Sequence, residues 1–172
     1  MDNNWQFTAV EITKYDPAFR DQNHHYTKNE WIGFFQIGKT FEDGVLTFET
    51  YLQTEKKYIQ AALLFFEFHD CKNITVRTVE KNEFSDYKYE DREQLFLFYN
   101  KITEGCSLPV EEAGSLIKLI LRELLWAELF CSDSNDIAIR FGYDFYMTFN
   151  SNRRDMDDLY NKIKALGLYI GR

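Results

Sequence analysis

Two adjacent histidines, His24 and His25, offer the most tempting ligands in the chain, with His69 the one other imidazole. In an extended loop such neighbours point to opposite sides, so a shared metal would need further ligands. No His or Cys spacing here supplies them. Acid–base chemistry can be drawn around the same loop, through Arg20, His24 and His25, or through a ribonuclease-like set of His25, Lys28 and Tyr26. Nucleophilic catalysis needs a Ser or Cys beside a base on a rigid turn, and no Gly-x-Ser-x-Gly elbow is present. Gly33 and Gly38 match neither a P-loop nor a dinucleotide fingerprint. Carboxylates are abundant, but no spacing singles out a pair for glycoside chemistry. No catalytic residue, metal site or cofactor is expected.

Cys71, Cys106 and Cys131 are odd in number and widely spaced, without a Cys-x-x-Cys pair. They read as buried or half-buried free thiols in a reducing cytosol.

The stretch from Glu80 to Glu93 is different in kind. It holds six acids against three bases, with Phe84, Tyr87 and Tyr89 interleaved. Acids rimming tyrosines suit the recognition of a basic protein surface. The candidate contacts are Glu83, Asp86, Tyr87, Tyr89, Glu90 and Asp91. If this stretch is extended, Tyr87 and Tyr89 share one face. The same composition also fits a solvated loop whose tyrosines fold back onto their own core. Tyr143 and Asp144 are a second candidate contact, at the tip of a hairpin described below. Asp144 can equally serve only to satisfy turn amides.

Composition narrows the class further. At 172 residues the chain is expected to form a single domain over 1–172. Apolar residues make up 45% and charged residues 28%, which excludes disorder as the main state. The net charge is −8 and no basic patch is visible, so direct nucleic-acid binding is not expected. Such a charge accelerates the approach of basic partners, and it also keeps a protein soluble. The N-terminus, Met-Asp-Asn-Asn-Trp-Gln, has no secretion-signal grammar, and the uncharged run Tyr58–Phe66 is far short of the ~20 residues a membrane span needs. A cytoplasmic protein without membrane contact is the default.

The elements that must position these residues are mixed. Trp5 to Tyr15 alternates around Phe7, Val10 and Ile12 and reads as a strand, broken by Asp16-Pro17. Arg20 to Lys28 is loop-like, and Trp31 to Phe41 fits a strand or a short helix. A helix starts after Thr47, a good N-cap, with apolar residues at helical spacing through Phe66. Ile74–Val79 reads as a strand. A helix of about a dozen residues carries Leu95, Phe98, Tyr99 and Ile102 and stops at Gly105. Pro109 opens a third helix, which runs towards Cys131 with one polar stripe of Glu111, Ser115, Lys118 and Arg122. Ile137–Phe141 and Phe145–Phe149 flank Gly142-Tyr143-Asp144 as a hairpin. Arg153–Leu166 forms a last helix, and Leu168–Ile170 returns as an edge strand. The expected class is α+β, a mixed or antiparallel sheet with a C-terminal β-hairpin packed against about four helices.

The runs Ile12-Thr-Lys-Tyr-Asp-Pro-Ala-Phe-Arg-Asp21, Glu30-Trp31, Ile37-Gly38 and Phe141-Gly-Tyr-Asp-Phe-Tyr146 resemble a family of small bacterial proteins. That family comprises immunity proteins of contact-dependent growth inhibition and polymorphic toxin systems. The chain departs from its pattern at Ile32-Gly-Phe-Phe-Gln36, where polar residues are expected. The resemblance implies a non-enzymatic inhibitor that binds a cognate toxin domain from the same locus and occludes its active site. An acidic immunity protein commonly faces a basic nuclease, so a basic ribonuclease is the implied partner. The alternatives are a small enzyme acting through Arg20, His24 and His25, and a protein-binding scaffold module without a toxin partner.

Overall fold

The computed structural model describes residues 8–84 and 87–171. Trp5 and Phe7, read as part of the first strand, and Asp86, read as a partner contact, lie outside the described residues. A seven-stranded antiparallel sheet dominates the α+β fold, with strand order β5-β4-β6-β7-β8-β1-β9. The strands are β1 (Thr8–Thr13), β4 (Asn73–Lys81), β5 (Ser107–Pro109), β6 (Leu125–Cys131), β7 (Ser134–Phe141), β8 (Tyr146–Ser151) and β9 (Tyr169–Gly171). A separate two-stranded ribbon pairs β2 (Thr40–Phe41) with β3 (Gly44–Val45). Among the described residues four α-helices, α1 (Phe48–Phe68), α2 (Arg92–Lys101), α3 (Ala113–Leu121) and α4 (Asp157–Ala165), accompany the sheet. Among the described residues no helix is long and apolar enough to cross a membrane.

Helix α1 begins where its cap dictates. Thr47 Oγ1 accepts the Thr50 N–H at 3.1 Å, and Glu49 sits at the positive end of the helix dipole. Tyr51, Tyr58, Ala62, Phe65 and Phe66 form its buried face, and Phe65 stacks on Phe149 of β8 at 4.3 Å between ring centroids. The alternating strands divide the sheet into two surfaces. Leu129, Ile139, Met147 and Phe149 are buried. Their neighbours Glu128, Arg140 and Asn150 form a polar set, with Arg140 donating to Glu128 at 2.8 Å and to Asn150 at 2.5 Å. One covered face and one polar face is the usual solution for an antiparallel sheet.

Two expectations are corrected here. The helix opened near Pro109 does not continue to Cys131. It ends at Leu121, and the chain turns back as strand β6. The stop is a Schellman closure: the Leu124 N–H donates to the Leu119 carbonyl and the Glu123 N–H to that of Ile120, both at 2.9 Å. Glu123 takes the left-handed conformation, φ 59°, at the position where glycine is usual, so the sequence carries no ordinary stop signal. Second, the cysteines are not all free thiols. Cys71 and Cys131 form a disulfide, leaving Cys106 free and half-buried. Strand β4 pairs Ile74 with Cys131, which brings Cys71 beside it across 60 residues of sequence. No spacing rule spans such a separation.

The segment Trp31–Phe41, open between strand and helix, contains a 3-10 turn at Phe34–Gln36 and then β2. The hairpin and the last helix follow the expected order, with Gly167 in a left-handed conformation (φ 78°) leading into the edge strand β9.

Candidate functional site

Tyr143 and Asp144 stand at the tip between β7 and β8, on one wall of a groove of about 260 Å³. The tip is a tight turn. The Tyr146 N–H donates to the Tyr143 carbonyl at 3.2 Å, and both central residues are left-handed, Asp144 at φ 58° and Phe145 at φ 62°. This is the sign pattern of a type I′ hairpin turn, which Asp tolerates and Phe strongly resists.

The core holds Phe145 in place. Its ring meets Trp31 at 5.1 Å, Tyr58 at 5.2 Å and Tyr51 at 5.9 Å, all edge to face. Its carbonyl accepts the buried Tyr58 hydroxyl at 2.5 Å. A strained backbone persists only where its surroundings over-determine it, so the tip is rigid and Tyr143 is presented at a fixed place. Tyr143 is 85% exposed. Its ring lies 5.8 Å from that of Trp126, tilted by 34°.

The groove is shared with the α3–β6 turn and the start of β6. Glu123, Trp126 and Asn82 line it, with Phe35, itself 58% exposed, from the 3-10 turn. Asn82 braces the left-handed Glu123: its side-chain amide donates to the Glu123 carbonyl at 2.8 Å, and its N–H donates to the Leu124 carbonyl at 3.0 Å. The Glu123 carboxylate and the Phe35 ring close over Gly33, where a Cβ would lie 2.7 Å from Glu123 Oε1 and 2.6 Å from the ring, so either side chain would have to shift to admit one. Burial and the nearby Asp144 carboxylate push the Glu123 carboxyl above its ordinary pKa. Among the described residues neither Glu123 nor Asp144 has an ion-pair partner. Two carboxylates share one aromatic-walled groove without a cation.

The stretch from Glu83 to Asp91 is placed differently from the expected docking strip. Burial does alternate, with Tyr87 and Tyr89 on one side and Lys88 and Glu90 on the other, but the shared face of the tyrosines points inward. Tyr87 is 4% exposed and stacks on Phe34 at 5.9 Å, and Tyr89 stacks on Phe48 at 4.2 Å. The Tyr87 hydroxyl donates to Asp91 at 2.6 Å and accepts from Arg122. Arg122 is itself buried, donating to both oxygens of Glu55 at 2.7 Å and to Asp91 at 2.6 Å. Burial alone would raise the Asp91 carboxyl, but bonds from Tyr87 and Arg122 hold it below its usual pKa. Tyr87, Asp91 and Arg122 thus form an inward-facing network, where the sequence reading placed Tyr87 and Asp91 among partner contacts and Arg122 on the polar stripe of the third helix. Glu83 and Glu90 remain exposed.

Arg20, His24 and His25 hold a loop together. Arg20 donates to the His24 carbonyl at 2.9 Å and to the Tyr146 hydroxyl at 2.8 Å, and His25 lies 3.6 Å from Asp21. Tyr26 and Lys28 both engage Glu30, at 2.7 Å and 3.4 Å. His69 stands apart, buried near Phe65 with its Nε2 3.2 Å from Ser151 Oγ.

Of the groove residues, sequence reading found Tyr143 and Asp144 and missed Glu123, Trp126 and Phe35. The one hint was the polar pair Arg122-Glu123 interrupting an apolar run, where a chain reversal is easier than a continued buried helix. No protein-family model, curated protein or solved structure matches the chain.

Proposed function

We propose that this is an immunity protein, a non-enzymatic binder that neutralises a cognate toxin domain, a basic ribonuclease, by occluding its active site in the cytoplasm. The observation that carries this reading is the groove at the hairpin tip. An exposed tyrosine on a rigid turn, beside two carboxylates without a cation, is suited to a basic protein surface. The net charge of −8 favours the same class of partner, and the sequence resemblance supports the immunity role. Glu83 directly follows the groove residue Asn82, and with Glu90 it adds exposed acids that would speed encounter.

The test uses the toxic domain encoded beside this gene. Co-expression should restore growth, and purified protein should silence the toxin at one-to-one stoichiometry. Tyr143→Ala should weaken binding by about 2 kcal/mol or more, the loss expected of an interface anchor. Its melting temperature should not change. Protection at strongly sub-stoichiometric protein would favour an enzyme instead. Absence of both binding and protection would remove the immunity reading.

A further inference from the structure

We infer that the groove between the β7–β8 turn and the α3–β6 turn is a receptor for a guanidinium group, so that the side chain it takes from a protein partner is an arginine. The inference rests on the binding role proposed above and specifies its chemistry. Three observations carry it: the aromatic side chains lining the groove, the two carboxylates beside them, and the hydrogen bonds that brace both turns.

The Trp126 and Tyr143 rings are 5.8 Å apart and tilted by 34°, and the exposed Phe35 ring lines the same groove, so a planar cation has ring faces on which to stack. Glu123 and Asp144 belong to different turns and line the same groove, and the Asp144 charge adds to burial in raising the Glu123 carboxyl. A guanidinium presents five donors in a fixed fork and can bond to two carboxylates at once, whereas an ammonium is a compact, strongly hydrated point charge. Arginine therefore fits better than lysine on both counts. Burying a cation also removes the repulsion between the two acids. The backbone beneath each acid is braced, that of Glu123 by Asn82 and the turn of Asp144 by the Tyr58 hydroxyl on Phe145, so binding has mainly side chains left to order.

Three carboxylates packed against aromatic rings elsewhere already have cations. Glu55 and Asp91 are occupied by Arg122, and Glu30 by Lys14 and Lys28. The residues lining the groove include two acids and several aromatic rings but no Lys or Arg.

The experiment needs no toxin. N-acetyl-arginine amide, N-acetyl-lysine amide and the uncharged isostere N-acetyl-citrulline amide are titrated into the full chain at low ionic strength, with amide and indole NMR shifts as readout. Arginine should give saturable shifts at Trp126, Tyr143 and Asp144, lysine a several-fold weaker response, and citrulline none. Glu123→Gln and Asp144→Asn should each weaken the arginine response by roughly tenfold, the range for a charge-assisted hydrogen bond. Asparagine tolerates the left-handed conformation, so the turn survives that change. Arginine binding should fade as pH falls through the raised Glu123 pKa. Equal responses to arginine and citrulline, shifts mapping elsewhere, or a groove filled by a second copy in sedimentation would each overturn the inference. If arginine fails here while the protein still silences its toxin, the guanidinium site falls and the immunity role stands.

Discussion

At the scale of single residues, the chain keeps most of its inward-facing polar groups satisfied and leaves one conspicuous exception. Arg122 is buried with its guanidinium bonded to Glu55, Asp91 and Tyr87, so its desolvation is compensated by directed bonds. His69 is 8% exposed and its Nδ1 has no partner among the described residues. Burial, with Arg153 adding repulsion, lowers its pKa from 6.5 to about 4. The folded chain therefore refuses a proton that the unfolded chain accepts below 6.5. Stability should fall as pH drops from 6.5 towards 4 and level off below that. The shift corresponds to roughly 3 kcal/mol for this one group. Urea unfolding at pH 7 and pH 4.5 measures it: His69→Gln should remove a large part of the wild-type loss. An identical pH dependence in both proteins would show that His69 is not held neutral.

At the scale of elements, two turns decide where the candidate site lies, and both depend on left-handed residues that are not glycine. Asp144 lies at φ 58°, where a Cβ costs roughly 1 kcal/mol. Asp144→Ala should lower the unfolding midpoint, because alanine keeps the strain and loses the polar side chain. Asp144→Gly should match or exceed the wild type while still losing the carboxylate. Equal midpoints for the two variants would mean that the turn is not strained there. Asp144→Gly also separates recognition from folding, since it removes a groove acid without weakening the hairpin.

These turns also mark the limit of what could be read from residues alone. Helix α1 was legible because Thr47 caps it and its apolar period runs for five turns without competition. The β7–β8 hairpin was legible because two β-rich runs flank a polar tip. The reversal after α3 was not, since Leu124 and Ala127 fit a helical face while Leu125, Ala127 and Leu129 fit a strand face equally. Only the tertiary burial of β6 between β4 and β7 decides between them. The groove inherits that ambiguity. Its residues come from four separate stretches, and Glu123 and Trp126 reach it only because the chain turns back there. Tyr87 misled for a related reason: alternation correctly grouped it with Tyr89, but periodicity does not say which face is covered.

At the scale of the whole molecule, the Cys71–Cys131 bridge links the segment after α1 to the end of β6, with a sequence separation of 60 residues. That loop includes β4, α2, β5, α3 and the walls of the groove that carry Asn82, Glu123 and Trp126. Closing a loop of this length removes denatured-state entropy worth about 4 kcal/mol in the chain-entropy account. The hydrophobic core runs on both sides of the bridge, from Ile12 through Tyr58 to Ile163, and a chain of this size buries enough surface to fold without a covalent tie. Reduction is thus expected to leave the fold intact but less stable. Denaturant unfolding with and without a thiol reductant should show a lower midpoint when reduced. Cys71→Ala with Cys131→Ala should reproduce that shift and abolish the effect of reductant. Cys106→Ser should leave both midpoints near those of the parent, because its half-buried thiol takes no part in the bridge. An unchanged midpoint on reduction would show that the bridge contributes nothing in solution. If the reduced form keeps the arginine response of the groove, the α3–β6 turn is held by its Schellman closure and Asn82, and the cross-link acts on stability alone.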